Sequence, residues 1–371
     1  MQRLEIWLAY AAATLVEVGM ATPGETAEPP HNVIIFVADG LRSEIVSSET
    51  APAMAAIRAD GVDFRNSHSL YPTITAPNAA AIATGHRLGD TGDFGNVLFV
   101  GEPFAAPYAS PIDPLEDDVV LGLMNERFGG DYLHQTSLLQ AASAKGFNTA
   151  AIGKLGPTAI QNVTARDGSG TIVIDDATGY PGGDGVKLSP DVAQAIKAAD
   201  LPAMTPDLGL NGSPGAYNMP GVQVANVEQQ DWFAAVATKV LLPRFKAAHK
   251  PFVMVFWSRD PDGTQHNEGD SLNSLTPGIN GPTSLAGIRN ASNDLQALRD
   301  SLAALGLGRA TGRVLGESLV YDGAPVPAET HVLRSAPAGN GFATILDWQT
   351  AGGAPYFDAA GAPGRTIGLA N

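Results

Sequence analysis

Several stretches of this 371-residue sequence combine side chains that could do chemistry together. The first is Tyr71-Pro72-Thr73-Ile74-Thr75-Ala76-Pro77-Asn78, which runs into a small-residue helix predicted over 79–84. Proline is tolerated in a first helical turn, where its missing N–H had no partner anyway. A hydroxyl there lies beside free backbone N–H groups and the positive end of the helix dipole, a place suited to an anion such as phosphate. The same position also suits Thr75 as a plain N-cap. Asn96 closes a Gly/Asp-rich loop over 90–96; its amide could donate to a phosphoryl oxygen or simply make a turn. Asp262 and His266 stand four apart just past an apolar run over 251–257, close enough to share one ion. Asp39 follows the apolar run Val33-Ile34-Ile35-Phe36-Val37-Ala38, where a carboxylate can hold a metal or cap a helix. Lys154 ends a strand predicted over 149–153 and either faces a substrate phosphate or is solvated.

The elements that must position these groups follow from the same runs. Continuous apolar stretches bounded by turn residues are strands buried on both faces, as in a parallel sheet covered by helices. In such sheets ligands bind at the carboxyl ends of the strands, which is where Asp39, Lys154 and Asp262 fall. Helices are predicted over 51–59, 135–145, 190–199, 232–248 and 293–305. Residues 168–176 with 180–185 are predicted as a hairpin with Gly-rich turns, Asp175-Asp176 as a solvated turn, and 208–221 as a loop that shapes substrate access. The fold class is α/β: a mostly parallel central sheet sandwiched by helices, with a small inserted cap at roughly 155–225.

A net charge of −16 argues against a nucleic-acid partner, which needs a basic surface, and suits a protein that binds cations. With no cysteine there is neither a disulfide framework nor a thiolate metal site, so any metal is held by Asp, Glu, His or hydroxyl oxygen, a set for zinc or harder ions. Residues 1–21 have the outline of a secretory signal: an apolar core, then Gly19-Met20-Ala21 as a cleavage site. Glu5 and Glu17 weigh toward an ordinary amphipathic helix instead. The expected location is periplasmic or secreted, with cytoplasmic as the alternative. Residues 22–32 form a linker, and no integral membrane span is expected.

Taken together, the strand ending in Asp39-Gly40, the Pro72-Thr-Ile-Thr75-Ala-Pro-Asn78 stretch, Thr84-Gly85 and the Gly92-x-x-x-Asn96 loop resemble the alkaline phosphatase superfamily, in its nucleotide pyrophosphatase/phosphodiesterase branch. The resemblance implies that Thr75 is the nucleophile, that Asn96 contacts the transferred phosphoryl group, and that Asp39 and Thr75 bind one metal and Asp262 and His266 another. It implies two divalent ions, zinc first, and a small phosphate ester or nucleotide as substrate, not a nucleic-acid duplex. Asn78, Asn96 and Lys154 are the candidate substrate contacts. A threonine hydroxyl is a poor nucleophile until a neighbouring cation or base activates it.

The sequence departs from that pattern in its last part. The family closes a later strand with an adjacent Asp-His pair that feeds the ion beside the nucleophile; no adjacent Asp-His occurs anywhere in this chain. His331 is the only histidine after His266, and its Glu329-Thr330-His331-Val332 context does not match the late family histidine. The part from about residue 309 is therefore atypical, although 342–346 and 355–357 still read as sheet and loop material. Two functions stay open: a phosphoesterase acting through a phospho-threonine, and a non-catalytic relative that keeps the fold and a weakened cation site. A sulfatase fits poorly, because those enzymes use a modified Cys or Ser.

Overall fold

The chain divides into two units, Met1–His31 and Asn32–Asn371, and the structure concerns the second. It is a computed structural model that describes residues 32–61, 63, 69–105, 107–181, 185–207, 225, 227–267 and 281–307, and the backbone alone of four strands beyond them. The expected signal and linker, the access loop over 208–221 and the segment 355–357 lie outside the described residues.

In chain order the strands are β1 (Val33–Ala38), β2 (Val97–Phe99), β3 (Ile112–Pro114), β4 (Asn148–Gly153), β5 (Ile172–Ile174), β6 (Phe252–Ser258), β7 (Gly312–Leu315), β8 (Ser318–Tyr321), β9 (His331–Pro337) and β10 (Ala343–Thr350). The helices are α1 (Pro52–Asp60), α2 (Thr75–Thr84), α3 (Leu88–Thr91), α4 (Asp118–Arg127), α5 (Leu138–Ala144), α6 (Pro157–Ile160), α7 (Pro190–Ala198), α8 (Glu228–Val236), α9 (Leu242–Ala248), α10 (Asp262–Asn267) and α11 (Pro282–Ala304). A π-helical turn, Ala237–Leu241, joins α8 to α9. Among the described residues no helix is long and apolar enough to cross a membrane.

The central sheet has the order β1-β6-β4-β5, and every neighbouring pair is parallel. β6 reads Phe-Val-Met-Val-Phe-Trp-Ser and is buried along its whole length. Successive side chains of a strand point to opposite faces, so this run supplies two cores at once. Val253, Val255 and Trp257 face one layer with Val37, Ala151, Leu121 and Met124. Phe252, Met254 and Phe256 face the other with Ile152, Ile174, Phe233 and Leu298. Full burial of a side chain of this size contributes roughly 1.5–3 kcal/mol. Helix α2 packs on the first face through Ala76, Ala79, Ala80 and Ala83, which are at most 1% exposed and recur at helical spacing. Residues without bulk let this helix lie close to the sheet, which brings Thr75 to the strand ends.

Three expectations need correction here. Residues 168–176 do not form a hairpin: β5 adds to the main sheet, parallel to β4, so the stretch expected as a cap in part builds the sheet itself. The last long helix starts at Pro282, well before 293, because Pro282 occupies the first turn, where proline is favoured, and Thr283, Ser284 and Gly287 are buried against neighbours. Asp175 is not in a solvated turn; it is fully buried beside Asp118, and burial pushes both carboxyls up. Beyond α11 the described backbone changes character to antiparallel pairs, β7 with β8 and β9 with β10.

Candidate active site

Because β1, β6 and β4 are adjacent and parallel, the residues after each strand emerge at one edge of the sheet. Asp39 follows β1, Lys154 follows β4, and Asp262 starts the helix after β6. Backbone bonds extend the ladder past the strands: Asp39 N–H donates to Ser258 O (3.0 Å), Lys154 N–H to Trp257 O (3.0 Å), and Asp262 N–H to Asp39 O (3.0 Å). Two glycines make this crowding feasible. Gly153 has φ +133°, and a Cβ there would lie 1.9 Å from Trp257 O; a Cβ on Gly40 (φ +68°) would lie 3.0 Å from Asp262 Cα. A side chain at either place would strain the backbone or displace the neighbouring strand end.

Thr75 is the first residue of α2 and not its N-cap; Ile74 is the cap residue and makes no side-chain cap bond. The Thr75 hydroxyl is therefore free for other partners. It donates to Asp39 Oδ2 at 3.4 Å, and Lys154 Nζ donates to it at 3.4 Å. The first-turn N–H of Ala76 is taken by Asn96 Oδ1 at 2.8 Å. That bond fixes the Asn96 amide, and its Nδ2 has no partner among the described residues, so a donor stays available next to Thr75. Asn78, expected to touch substrate, is engaged by its own loop: its Oδ1 accepts Leu70 N–H (2.7 Å), and its Nδ2 donates to the carbonyls of Ile74 (2.8 Å), Pro72 and Leu70 (both 3.3 Å). It is 5% exposed and staples the loop before α2.

Lys154 is the centre of the site. It is neither solvated nor pointed outward: 8% exposed, its ammonium lies 3.0 Å from Asp39 Oδ2, 3.0 Å from Asp262 Oδ2 and 3.0 Å from Glu116 Oε1. Burial alone would lower the pKa of this amine, but the three carboxylates outweigh it and hold the group well above the usual lysine range, so it is charged. Burial pushes the Asp39 carboxyl up, against the opposing pull of Lys154 and of the Trp257 Nε1–H bond to Oδ2 (3.2 Å). His266 is on the rim, its side chain 65% exposed, with Nε2 3.2 Å from Asp262 Oδ1. The pair lies on one turn of α10, not in a loop.

The structure thus brings Asp39, Thr75, Asp262, Asn96 and Lys154 together, with His266 reaching the group through Asp262. Sequence reasoning missed Glu116 and Trp257. Glu116 stands between β3 and α4 with no spacing signal, and Trp257 was indistinguishable from the rest of an apolar strand.

The family described as type I phosphodiesterase / nucleotide pyrophosphatase matches residues 33–312. The chain belongs to this family. No curated protein matches the chain. Among solved structures it is similar to a phosphonoacetate hydrolase from Sinorhizobium meliloti 1021 in complex with phosphonoacetate: 16% identity, TM-score 0.46, covering 74% of this chain and 54% of that one. It is also similar to a murine ectonucleotide pyrophosphatase/phosphodiesterase 5, an inactive form in complex with AMP: 15% identity, TM-score 0.40, covering 75% of this chain and 54% of that one. The chain spans about half the length of these two proteins.

Type I phosphodiesterases use divalent metal ions, so the donors of this site were tested against one. Ligand oxygens belong about 2.0–2.2 Å from a zinc ion. Here the oxygens of Asp39, Thr75 and Asp262 converge instead on the Lys154 ammonium at 3.0–3.4 Å. Among the described residues no group of three or more His, Cys, Asp or Glu is arranged to hold a metal. The side chains beside Thr75 do not fit an ion, and no chemical step below passes through one.

Proposed function

We propose that this type I phosphodiesterase relative hydrolyses small phosphoric esters through a covalent phospho-threonine at Thr75. The observation that carries the reading is the placement of the Thr75 hydroxyl: in the first turn of α2, 3.4 Å from Asp39 Oδ2 and 3.4 Å from Lys154 Nζ, with the Asn96 amide bonded to the next residue. The Thr75 oxygen attacks phosphorus and its proton passes to Asp39, whose carboxyl is made more basic by burial. The P–O bond to the leaving group breaks, and the departing alkoxide recovers that proton. Charge on the phosphoryl oxygens is met by the Lys154 ammonium, the Asn96 Nδ2–H and the dipole of α2. Water then attacks the phospho-threonine and gives a proton to Asp39; the bond from phosphorus to Thr75 oxygen breaks, phosphate or a monoester leaves, and Asp39 returns that proton to Thr75. Zinc or another divalent ion is proposed only for Asp262 and His266, which supply two donors, half of a tetrahedral set, outside this step.

The test is turnover of bis-p-nitrophenyl phosphate and of p-nitrophenyl phosphate, with an acid quench and intact-mass measurement to trap the phospho-enzyme. Wild type should show a phosphoryl adduct that maps to Thr75, and Thr75→Ala should lose both the adduct and the turnover. Equal rates for the two proteins would overturn the enzymatic reading and leave the non-catalytic one.

A further inference from the structure

We propose that Lys154 is a built-in replacement for the metal ion beside the nucleophile: its ammonium fills the cation position between Asp39, Thr75 and Asp262, and a divalent ion does not enter there while Lys154 is present. Three carboxylate oxygens stand 3.0 Å from Nζ, from three separate segments of the chain, and the Thr75 hydroxyl stands at 3.4 Å. Those are hydrogen-bond lengths to an ammonium, too long for a bound divalent ion. An ion shared by Asp39 Oδ2 and Asp262 Oδ2 would have to take the very point that Nζ holds. Two cations cannot share that volume, so Lys154 would have to leave.

Leaving is opposed by the way the side chain is held. The residue before it, Gly153, is clamped against Trp257 O, and the Lys154 N–H donates to that same carbonyl. The next residue is fixed as well, since Leu155 N–H donates to Asp176 Oδ1 at 3.1 Å. The three carboxylate partners of Lys154 at 3.0 Å would each lose their cation if it left.

The inference uses the proposed function only to call Thr75 the nucleophile; its readout is metal binding, which succeeds or fails whatever the turnover. Chelator-stripped full-length protein is titrated with zinc and with manganese by calorimetry, and bound metal is counted by mass spectrometry after dialysis. Lys154→Ala should gain one ion per chain over wild type, Lys154→Arg should gain none, and Asp39→Asn added to Lys154→Ala should remove the gained ion. In wild type, reductive methylation should leave Lys154 unlabelled with or without zinc, since an ion never displaces it. The proposal is overturned if Lys154→Ala, folded by circular dichroism, binds no more metal than wild type. It is equally overturned if wild type already holds an ion that Asp39→Asn removes, or if zinc makes Lys154 reactive; the labelling result needs no variant to fold.

Discussion

Asp93 offers a quantitative test of how the loop carrying Asn96 is held. It is fully buried, three residues before Asn96, with Tyr132 O–H donating to Oδ2 at 3.1 Å. Its Oδ1 has no hydrogen-bond partner among the described residues. Burial raises the carboxyl to about 7, against the smaller opposing effects of the Tyr132 bond and the Gly95 N–H. In the unfolded chain the same group ionises near its ordinary value of 3.8. Between these two pH values the folded protein keeps a proton that the unfolded chain has released. Stability therefore falls as pH rises from about 4 to about 7, and the full cost is present above 7. A shift of about three pH units at ~1.4 kcal/mol each makes that cost on the order of 4 kcal/mol, an upper value because burial of the ionised form draws in water and relaxes the loop. Asp93→Asn keeps an oxygen for Tyr132 and removes the titration. Urea unfolding of both proteins at pH 5, 6, 7 and 8 isolates the contribution of Asp93, since other titrating groups cancel in the difference. The variant should gain relative to wild type with each step, by a few kcal/mol in all. A difference that stays constant from pH 5 to 8 would show that Asp93 titrates alike in both states, and the argument from burial would be refuted.

Two further substitutions separate roles that look alike in sequence. Asn96→Ala should cost about 1 kcal/mol of stability through the lost Ala76 N–H partner, and should lower kcat by about 100- to 1,000-fold through the lost donor. Asn96→Asp, which keeps the acceptor but not the donor, should recover the stability measured by denaturation and not the rate. Asn78→Ala should destabilise by about 1–3 kcal/mol, since it removes the side-chain partner of the Leu70 N–H and of the Ile74 carbonyl in a part-buried loop. It should leave KM unchanged for the molecules that remain folded, and a raised KM would restore Asn78 as a substrate contact.

The parts of this site and their convergence at the strand ends were legible; which group pairs with which was not. Asp39 was readable because it directly follows an apolar run, and Asp262 because it stands in the short turn past another. That β4 stands next to β6, and so delivers Lys154 into the midst of both acids, depends on strand order, which no local pattern carries. Of the two readings open for Lys154, the solvated one fails, because three carboxylates hold it inside. The plain alternative for Thr75, an N-cap, fits its type and place, but Ile74 occupies that position, and the hydroxyl is left for Asp39. Asp175 failed for the opposite reason: tandem aspartates suggest water, and only the packing of Asp118 against Asp175 shows that a carboxyl can be buried by keeping its proton. β5 was lost because three residues between glycine-rich turns are too few to show a period.

The backbone bond from Asp262 N–H to Asp39 O sets the interval between these two positions by main chain alone, so it survives any exchange of their side chains. The edge of the sheet thus behaves as a rigid socket with interchangeable pins. Imidazole, thiol or longer acid groups installed at 39 and 262, with Lys154 shortened, would inherit the same separation. The protein is for that reason a ready starting point for building metal chemistry chosen by the experimenter.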